Sequence, residues 1–138
     1  MIITASRARR SGRAIAAVLV VSSAWMLSAC SNEPEQTLDL TGAAAEGQLI
    51  AKEMGCQGCH SIDGSNSTGP TWKDLYGAQV TLQGGDKVTV DDDYLVRSIR
   101  EPNAQRREDA RSAMGAYDEK RLSDDDVAKI IEFIKALS

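Results

Sequence analysis

Histidine, aromatic residues and long apolar runs are scarce in this 138-residue chain. It has a single histidine, His60, and aromatic residues make up 4% of the sequence. The apolar run at residues 14–26 has thirteen residues, whereas a membrane-spanning helix needs about 20. These shortages exclude a site built from several imidazoles and disfavour a membrane span. They also mean that aromatic side chains alone cannot fill the core.

The first 29 residues have the layout of a secretory signal peptide, with arginines before a short apolar run. The run ends in "LSAC", residues 27–30, which resembles the lipobox cleaved by the lipoprotein signal peptidase. In lipoproteins the cysteine becomes the first mature residue and carries lipid, so Cys30 is the predicted lipidation site. The alternative is an ordinary signal peptide whose cleavage site happens to precede a cysteine.

Basic side chains become scarce once this signal is removed. The signal contains four of the 16 basic residues and none of the 20 acidic ones, which leaves 12 against 20 and a formal net charge of −8. Binding to nucleic acid needs clustered Lys and Arg, so the charge argues against a nucleic-acid partner. Direct docking on anionic lipid is also disfavoured. The predicted membrane connection is therefore the lipid, followed by a flexible tether over residues 30–42.

Residues 43–138 are predicted to form one small, mainly helical domain. The clearest helix lies in "LSDDDVAKIIEFIKALS", where Ser123 begins a variant of the capping box and apolar residues recur at helical spacing. A second helix is predicted to start after Asp91 and to end before Pro102, and another covers residues 43–55. The aspartate triplets that begin the two later helices fit helix N-termini better than a calcium site.

A short hairpin is also predicted, because "VTLQGGDKVTV" alternates with period two around two glycines. A three-residue loop over residues 84–86 would pair Leu82 with Val88 and Val80 with Val90.

The stretch "GCQGCH" places Cys56 and Cys59 three positions apart, with His60 directly after. Structural zinc needs four ligands, but Cys30 is assigned to lipid and there is no second histidine. A dithiol oxidoreductase is the second possibility, yet that fold requires a βαβ pattern around the motif, which the sequence does not show.

The third possibility is covalent haem, for which C-x-x-C-H is the attachment signal. Two thiols at this spacing can add to the two vinyl groups of a porphyrin, and His60 then becomes the proximal iron ligand. One haem c is therefore predicted, and this large apolar plate also fills the core. Methionine is the natural sixth ligand. Met114 is the candidate, since Met54 lies too close to Cys56 to reach across the ring.

Most of residues 47–137 resemble a class I cytochrome c, and more closely the cytochrome c domain fused to subunit II of some haem-copper oxidases. The matching stretches are "GCQGCHSIDGSNSTGPTWKDLYG", "VTVDDDYLVRSIREPN" and "MGAYDEKRLSDDDVAKIIEFIKAL". The resemblance implies an all-α fold packed around one haem. It implies that the Pro70 carbonyl accepts a hydrogen bond from the proximal imidazole and that Trp72 packs near the haem, within reach of a propionate. It also places four further residues in the pocket or core: Tyr76, Leu95, Ile99 and Tyr117.

Three departures from this family pattern stand out. Glycine, not proline, follows Met114, and glycine loosens the backbone, so the bond from Met114 to iron is expected to be more labile. The segment at residues 103–113 is unusually charged and is interpreted either as a solvated loop or as a docking surface. The copper-site residues and membrane helices of an oxidase subunit II are absent, and a lipid tether would replace them.

The sequence thus predicts a monomeric, membrane-tethered electron carrier of the respiratory chain, not an enzyme. The expected partners are redox proteins such as a membrane oxidase or dehydrogenase. The expected location is the periplasmic face of the inner or outer membrane, or the outer face of the cell membrane. The alternative is a haem enzyme or a gas-binding sensor, which would require a vacant or easily displaced sixth position.

Overall fold

The computed structural model describes residues 38–138. The predicted signal peptide and the lipidation at Cys30 lie outside the described residues. The elements are α1 (Gly42–Glu53), a 3-10 turn (Cys56–Gly58), β1 (Gln79–Thr81), β2 (Lys87–Thr89), α2 (Asp92–Arg100) and α3 (Asp124–Lys135). Three helices and a two-stranded hairpin confirm the predicted mainly helical fold. Among residues 38–138, no helix combines the length and apolarity needed to span a bilayer.

Helices α1 and α3 cross at very close range, and Gly47 makes this possible. A Cβ atom at this position would lie 1.9 Å from the carbonyl oxygen of Lys129 on α3, well inside van der Waals contact. Ala51, one turn further along α1, is completely buried. At the edge of the crossing, the Lys129 ammonium lies 3.0 Å from Glu46 and 2.8 Å from Asp125. Small residues on α1 therefore allow the first and last helices of the domain to pack closely.

The starts of α2 and α3 are fixed by the predicted caps. The Asp91 carboxylate accepts a hydrogen bond from the Tyr94 amide at 2.8 Å. The Ser123 hydroxyl oxygen accepts one from the Asp126 amide at 3.2 Å, and its O–H donates to the Asp126 carboxylate at 2.7 Å. Each acidic triplet thus lies at a helix N-terminus, as predicted, where its charge complements the helix dipole. Helix α2 ends two residues before Pro102, also as predicted.

The hairpin exists, but its predicted register is wrong by two residues. Val80 pairs with Val88, not with Val90, and the Leu82 amide donates to the Asp86 carbonyl at 2.8 Å. The loop is therefore residues 83–85. Its third residue, Gly85, has φ +90°, the left-handed conformation that such a loop requires at this position. The predicted loop would have placed Asp86 there, which is less favourable than glycine.

The charged segment at residues 103–113 is not simply a solvated loop. Its backbone adds to the free edge of β1 through an antiparallel bridge between Leu82 and Arg107. The Gln83 amide donates to the Arg106 carbonyl at 2.9 Å, and the Glu108 amide donates to the Thr81 carbonyl at 3.0 Å. These backbone hydrogen bonds hold the segment in one place beside the hairpin.

The folded part begins before Ala43, where the sequence boundary was placed. Leu38 and Leu40, within the predicted tether, pack against the core, because burial of apolar side chains stabilises the folded state.

The centre of the core comes from α3. Its Phe133 is fully buried and meets the Trp72 ring edge-on, with ring centroids 6.1 Å apart.

Candidate functional site

The six residues that were predicted to bind the cofactor all line one cleft of the described chain. Its lining includes Cys56, Cys59, His60, Pro70, Trp72 and Met114. The proposed iron ligands His60 and Met114 are 54 positions apart in the sequence (114 − 60) and meet only because the chain folds around the cleft. Their roles as ligands stay predictions, but their common location is what those roles require.

The two thiols are positioned by the turn that ends α1. Gly55 follows the helix with φ +76°, and its amide donates to the Lys52 carbonyl at 3.1 Å, which is a usual way for a helix to end. The amides of Cys59 and His60 both donate to the Cys56 carbonyl, at 3.1 and 3.0 Å. This tight turn brings the two cysteines and the imidazole to one wall of the cleft. Within residues 38–138 the two thiols are free and are not joined to each other, and burial raises the pKa of the half-buried Cys56.

The imidazole of His60 is held on one side by backbone and on another by an aromatic ring. Its Nδ1–H donates to the Pro70 carbonyl at 2.7 Å, the hydrogen bond that the family resemblance implied. A Cβ at Gly69 would lie 2.7 Å from the imidazole Cε1 atom, so only glycine fits beside the ring. Trp72 stacks on the ring with centroids 5.1 Å apart and planes at 19°.

This arrangement leaves the other ring nitrogen, Nε2, with a free lone pair, which suits a metal ligand. Burial lowers the pKa of His60, which favours the neutral form that binds metal. Trp72 is only 7% exposed and packs between His60 and Phe133. Its suggested contact with a haem propionate stays a prediction.

The segment that carries Met114 has no regular secondary structure and is fixed by side chains of its neighbours. The Tyr117 hydroxyl donates to the Met54 carbonyl at 3.1 Å, which links this segment to the approach to Cys56. The Tyr117 amide donates to the Ile99 carbonyl at 3.1 Å, and the Arg100 guanidinium donates to the Tyr117 carbonyl at 2.8 Å. The half-buried Met114 is thereby held at the cleft by contacts with α2 and with the end of α1.

The other family-implied residues divide between the cleft and the edge of the core. Leu95, Ile99 and Tyr117 line the cleft. Tyr76 packs at the edge of the core instead, and its hydroxyl donates to Asp92 at 2.7 Å.

Sequence reasoning missed several residues of the cleft wall. Tyr94 and Ser98 line the cleft beside the expected Leu95 and Ile99, and their helical spacing along α2 carried that signal. Arg106 and Arg107 also line it, but nothing local in the sequence distinguishes them from solvated charges. They reach the cleft only because their segment pairs with β1.

The lining fits a haem. It is largely apolar and contains two arginines, and the described residues contribute no Asp or Glu to it. Such a lining suits a flat apolar group that carries two carboxylates. The buried Nε of Arg106 has no hydrogen-bond partner within the described part of the chain. An anionic group in the cleft would supply the missing acceptor. In residues 38–138, no three His, Cys, Asp or Glu side chains cluster in a way that would hold a bare metal ion.

Comparison with known proteins agrees with this site. The family model described as "Cytochrome c" matches residues 44–138, which is more than half of the chain and includes every predicted cofactor residue. No curated protein matches the chain significantly.

Proposed function

The chain belongs to the cytochrome c family, and from this we propose that it is an electron carrier held at a membrane by a lipid on Cys30. Family membership implies covalently attached haem c and supports the carrier role. The tether and the redox partners go beyond that membership. Their support is the lipobox-like "LSAC" and the acidic mature chain, which favours partners with a basic docking patch.

The observation that carries the proposal is the meeting of Cys56, Cys59, His60 and Met114 in one cleft. Haem bound there supplies exchange of a single electron at iron. The thiols attach the cofactor, and the Pro70 carbonyl orients the imidazole of His60. A second protein ligand from Met114 would leave no coordination position for a substrate and would raise the reduction potential, and both effects favour electron transfer over catalysis.

Replacing Met114 or Met54 by leucine, in two separate variants, tests the carrier role. Leucine keeps nearly the same volume but cannot ligate iron. Met114→Leu is expected to give a high-spin haem that binds carbon monoxide when reduced. Met54→Leu is the matched control and should keep a low-spin spectrum indifferent to the gas. An unchanged spectrum for Met114→Leu would refute the assignment of Met114.

The wild-type spectrum decides between the carrier and the alternative functions. Gly115 follows Met114 where the family has proline, and glycine loosens the backbone at that position. A wild-type haem that binds carbon monoxide readily would favour a haem enzyme or gas sensor. The absence of haem c, in a host able to attach it, would contradict the proposed function altogether.

The tether is tested by Cys30→Ser in the full-length chain. The wild-type protein should fractionate with membranes and be released by detergent. Mass spectrometry should find lipid on Cys30 of the wild type and none on residue 30 of the variant, while the haem spectrum stays the same. The absence of lipid from Cys30 in the wild type would contradict lipid anchoring at this position.

A further inference from the structure

Arg106 is a half-buried cation that has no anionic partner among residues 38–138. Its Nε is buried and unpartnered among residues 38–138. The one hydrogen bond of its guanidinium within that range is a donation from Nη2 to the Ala110 carbonyl at 3.2 Å. A buried N–H donor without an acceptor costs free energy, and the cost is larger for a donor on a charged group. Because Arg106 lines the cleft, we expect a ligand bound there to supply the missing hydrogen-bond acceptor.

The neighbouring arginine shows what a satisfied side chain looks like in this segment. Arg107 also lines the cleft, but its Nε and Nη2 both donate to the Asp109 carboxylate, at 2.9 and 2.6 Å. Neither Asp109 nor any other carboxylate of residues 38–138 belongs to the lining. The two arginines therefore differ: Arg107 has its anion within the chain, whereas Arg106 has none in the described part.

Arg106 is held in this position by its backbone and by its neighbours. Its carbonyl accepts a hydrogen bond from the Gln83 amide at the tip of the hairpin, at 2.9 Å. The side-chain amide of Gln105 donates to the Tyr94 carbonyl on α2 at 2.8 Å. Because the segment is fixed both to the hairpin and to α2, the guanidinium is pre-organised for a ligand in the cleft.

We infer that Arg106 binds one of the two propionate carboxylates of the haem, with its buried Nε–H as a donor. This inference rests on the proposed function and extends it, because it assigns a residue of the charged 103–113 segment to cofactor binding. Arginine suits the role because its planar guanidinium donates several hydrogen bonds to a carboxylate and stays charged when buried. Arg106 would hold this carboxylate in its ionised form.

The pH dependence of the reduction potential tests this inference. A propionate resembles a Glu side chain, with an ordinary pKa of about 4.3. If it lost its arginine, burial would raise this pKa to about 5 to 8. The proton would then bind more tightly when the haem is reduced, because ferric iron carries one more positive charge. The potential of Arg106→Gln is therefore expected to fall with rising pH more steeply than that of the wild type.

Other titrating groups around the cleft do not explain such a change. The remaining titratable or charged side chains of the lining are Arg107, Tyr94, Tyr117, His60 and the two thiols. The thiols and His60 are committed to haem, and burial raises the pKa of Tyr94 above its ordinary value. Arg111→Gln is the matched control, since it removes the same charge from the same segment at an exposed position outside the cleft.

If Arg106→Gln and Arg111→Gln give the same pH profile on a normal haem c spectrum, the inference is overturned and the carrier function still stands. Loss of haem c from the wild type would instead contradict the proposed function.

A second measurement needs no variant. In the reduced wild-type protein labelled with 15N-arginine, the Arg106 Nε–H should show nuclear Overhauser contacts to propionate methylene protons. Contacts to protein protons only would refute the inference.

Discussion

Replacing Tyr117 by phenylalanine should loosen the segment that presents Met114 to the haem. The Tyr117 hydroxyl donates to the Met54 carbonyl at 3.1 Å, which joins the methionine segment to the turn that carries the thiols. Phenylalanine keeps the ring in place and removes only this donor. If the hydrogen bond forms only while Met114 is bound to iron, its loss lowers the stability of this bound form relative to the form in which Met114 has left the iron.

The size of the effect follows from the value of one hydrogen bond. A typical intramolecular hydrogen bond contributes about 1 kcal/mol net, which corresponds to a factor of about five in an equilibrium constant. The affinity of the oxidised protein for added imidazole, which competes with Met114 for iron, should therefore rise about fivefold in Tyr117→Phe. Spectroscopic titration measures it directly.

Tyr76→Phe provides the matched control for this experiment. Its hydroxyl also donates one hydrogen bond, to Asp92 at 2.7 Å, but it lies outside the cleft lining. This variant should bind imidazole with the wild-type affinity. If the two variants bind imidazole equally well, or if Tyr117→Phe merely lowers the free energy of unfolding, the hydrogen bond to Met54 does not hold the methionine segment closed.

The remaining predictions concern the imidazole, the helix crossing and acid stability. Gly69→Ala should displace the His60 ring, because the new methyl would lie 2.7 Å from Cε1; the haem spectrum should show a weakened proximal bond. Gly47→Ala should lower the free energy of unfolding by about 2 kcal/mol, measured in urea, because overpacking α1 against α3 outweighs the higher helix propensity of alanine. Hydrogen bonds, above all the one from Tyr76, hold the pKa of Asp92 below its ordinary 3.8. Its contribution to stability is thus complete above that pH and is lost as the pH falls through the lower folded value, so Asp92→Asn should make stability less sensitive to acid.

Simple controls accompany these three changes. Gly84→Ala introduces the same methyl group in the hairpin loop, where its nearest neighbour would be 4.0 Å away, and should leave both the spectrum and the stability unchanged. If Gly69→Ala or Gly47→Ala behaves like this control, close approach to glycine does not shape that part of the domain. Asp93→Asn, at the exposed next position, should retain the acid sensitivity of the wild type. An equal response of the two aspartate variants would contradict the role assigned to Asp92.

The chemistry and the helices of this protein could be predicted from short stretches of sequence. The spacing of Cys56, Cys59 and His60 indicated covalent haem because the three groups act on one cofactor within a single turn. The caps at Asp91 and Ser123 are equally local, since each hydroxyl or carboxylate bonds an amide three residues along the chain. The predicted hairpin register was wrong because two successive glycines allow alternative loops. Only the positive φ of Gly85 in the folded chain selects one of these loops.

Tertiary structure alone decided which distant residues share the cleft. No local pattern distinguishes Arg106, whose Nε is buried at the cleft, from Arg111, which is exposed five residues later. That difference arises when the 103–113 segment pairs with the free edge of β1, a contact between parts of the chain more than twenty residues apart. By itself, the sequence determined which cofactor the chain can attach. Long-range backbone pairing determined which charges surround it, because the burial of a side chain depends on neighbours that the local sequence does not specify.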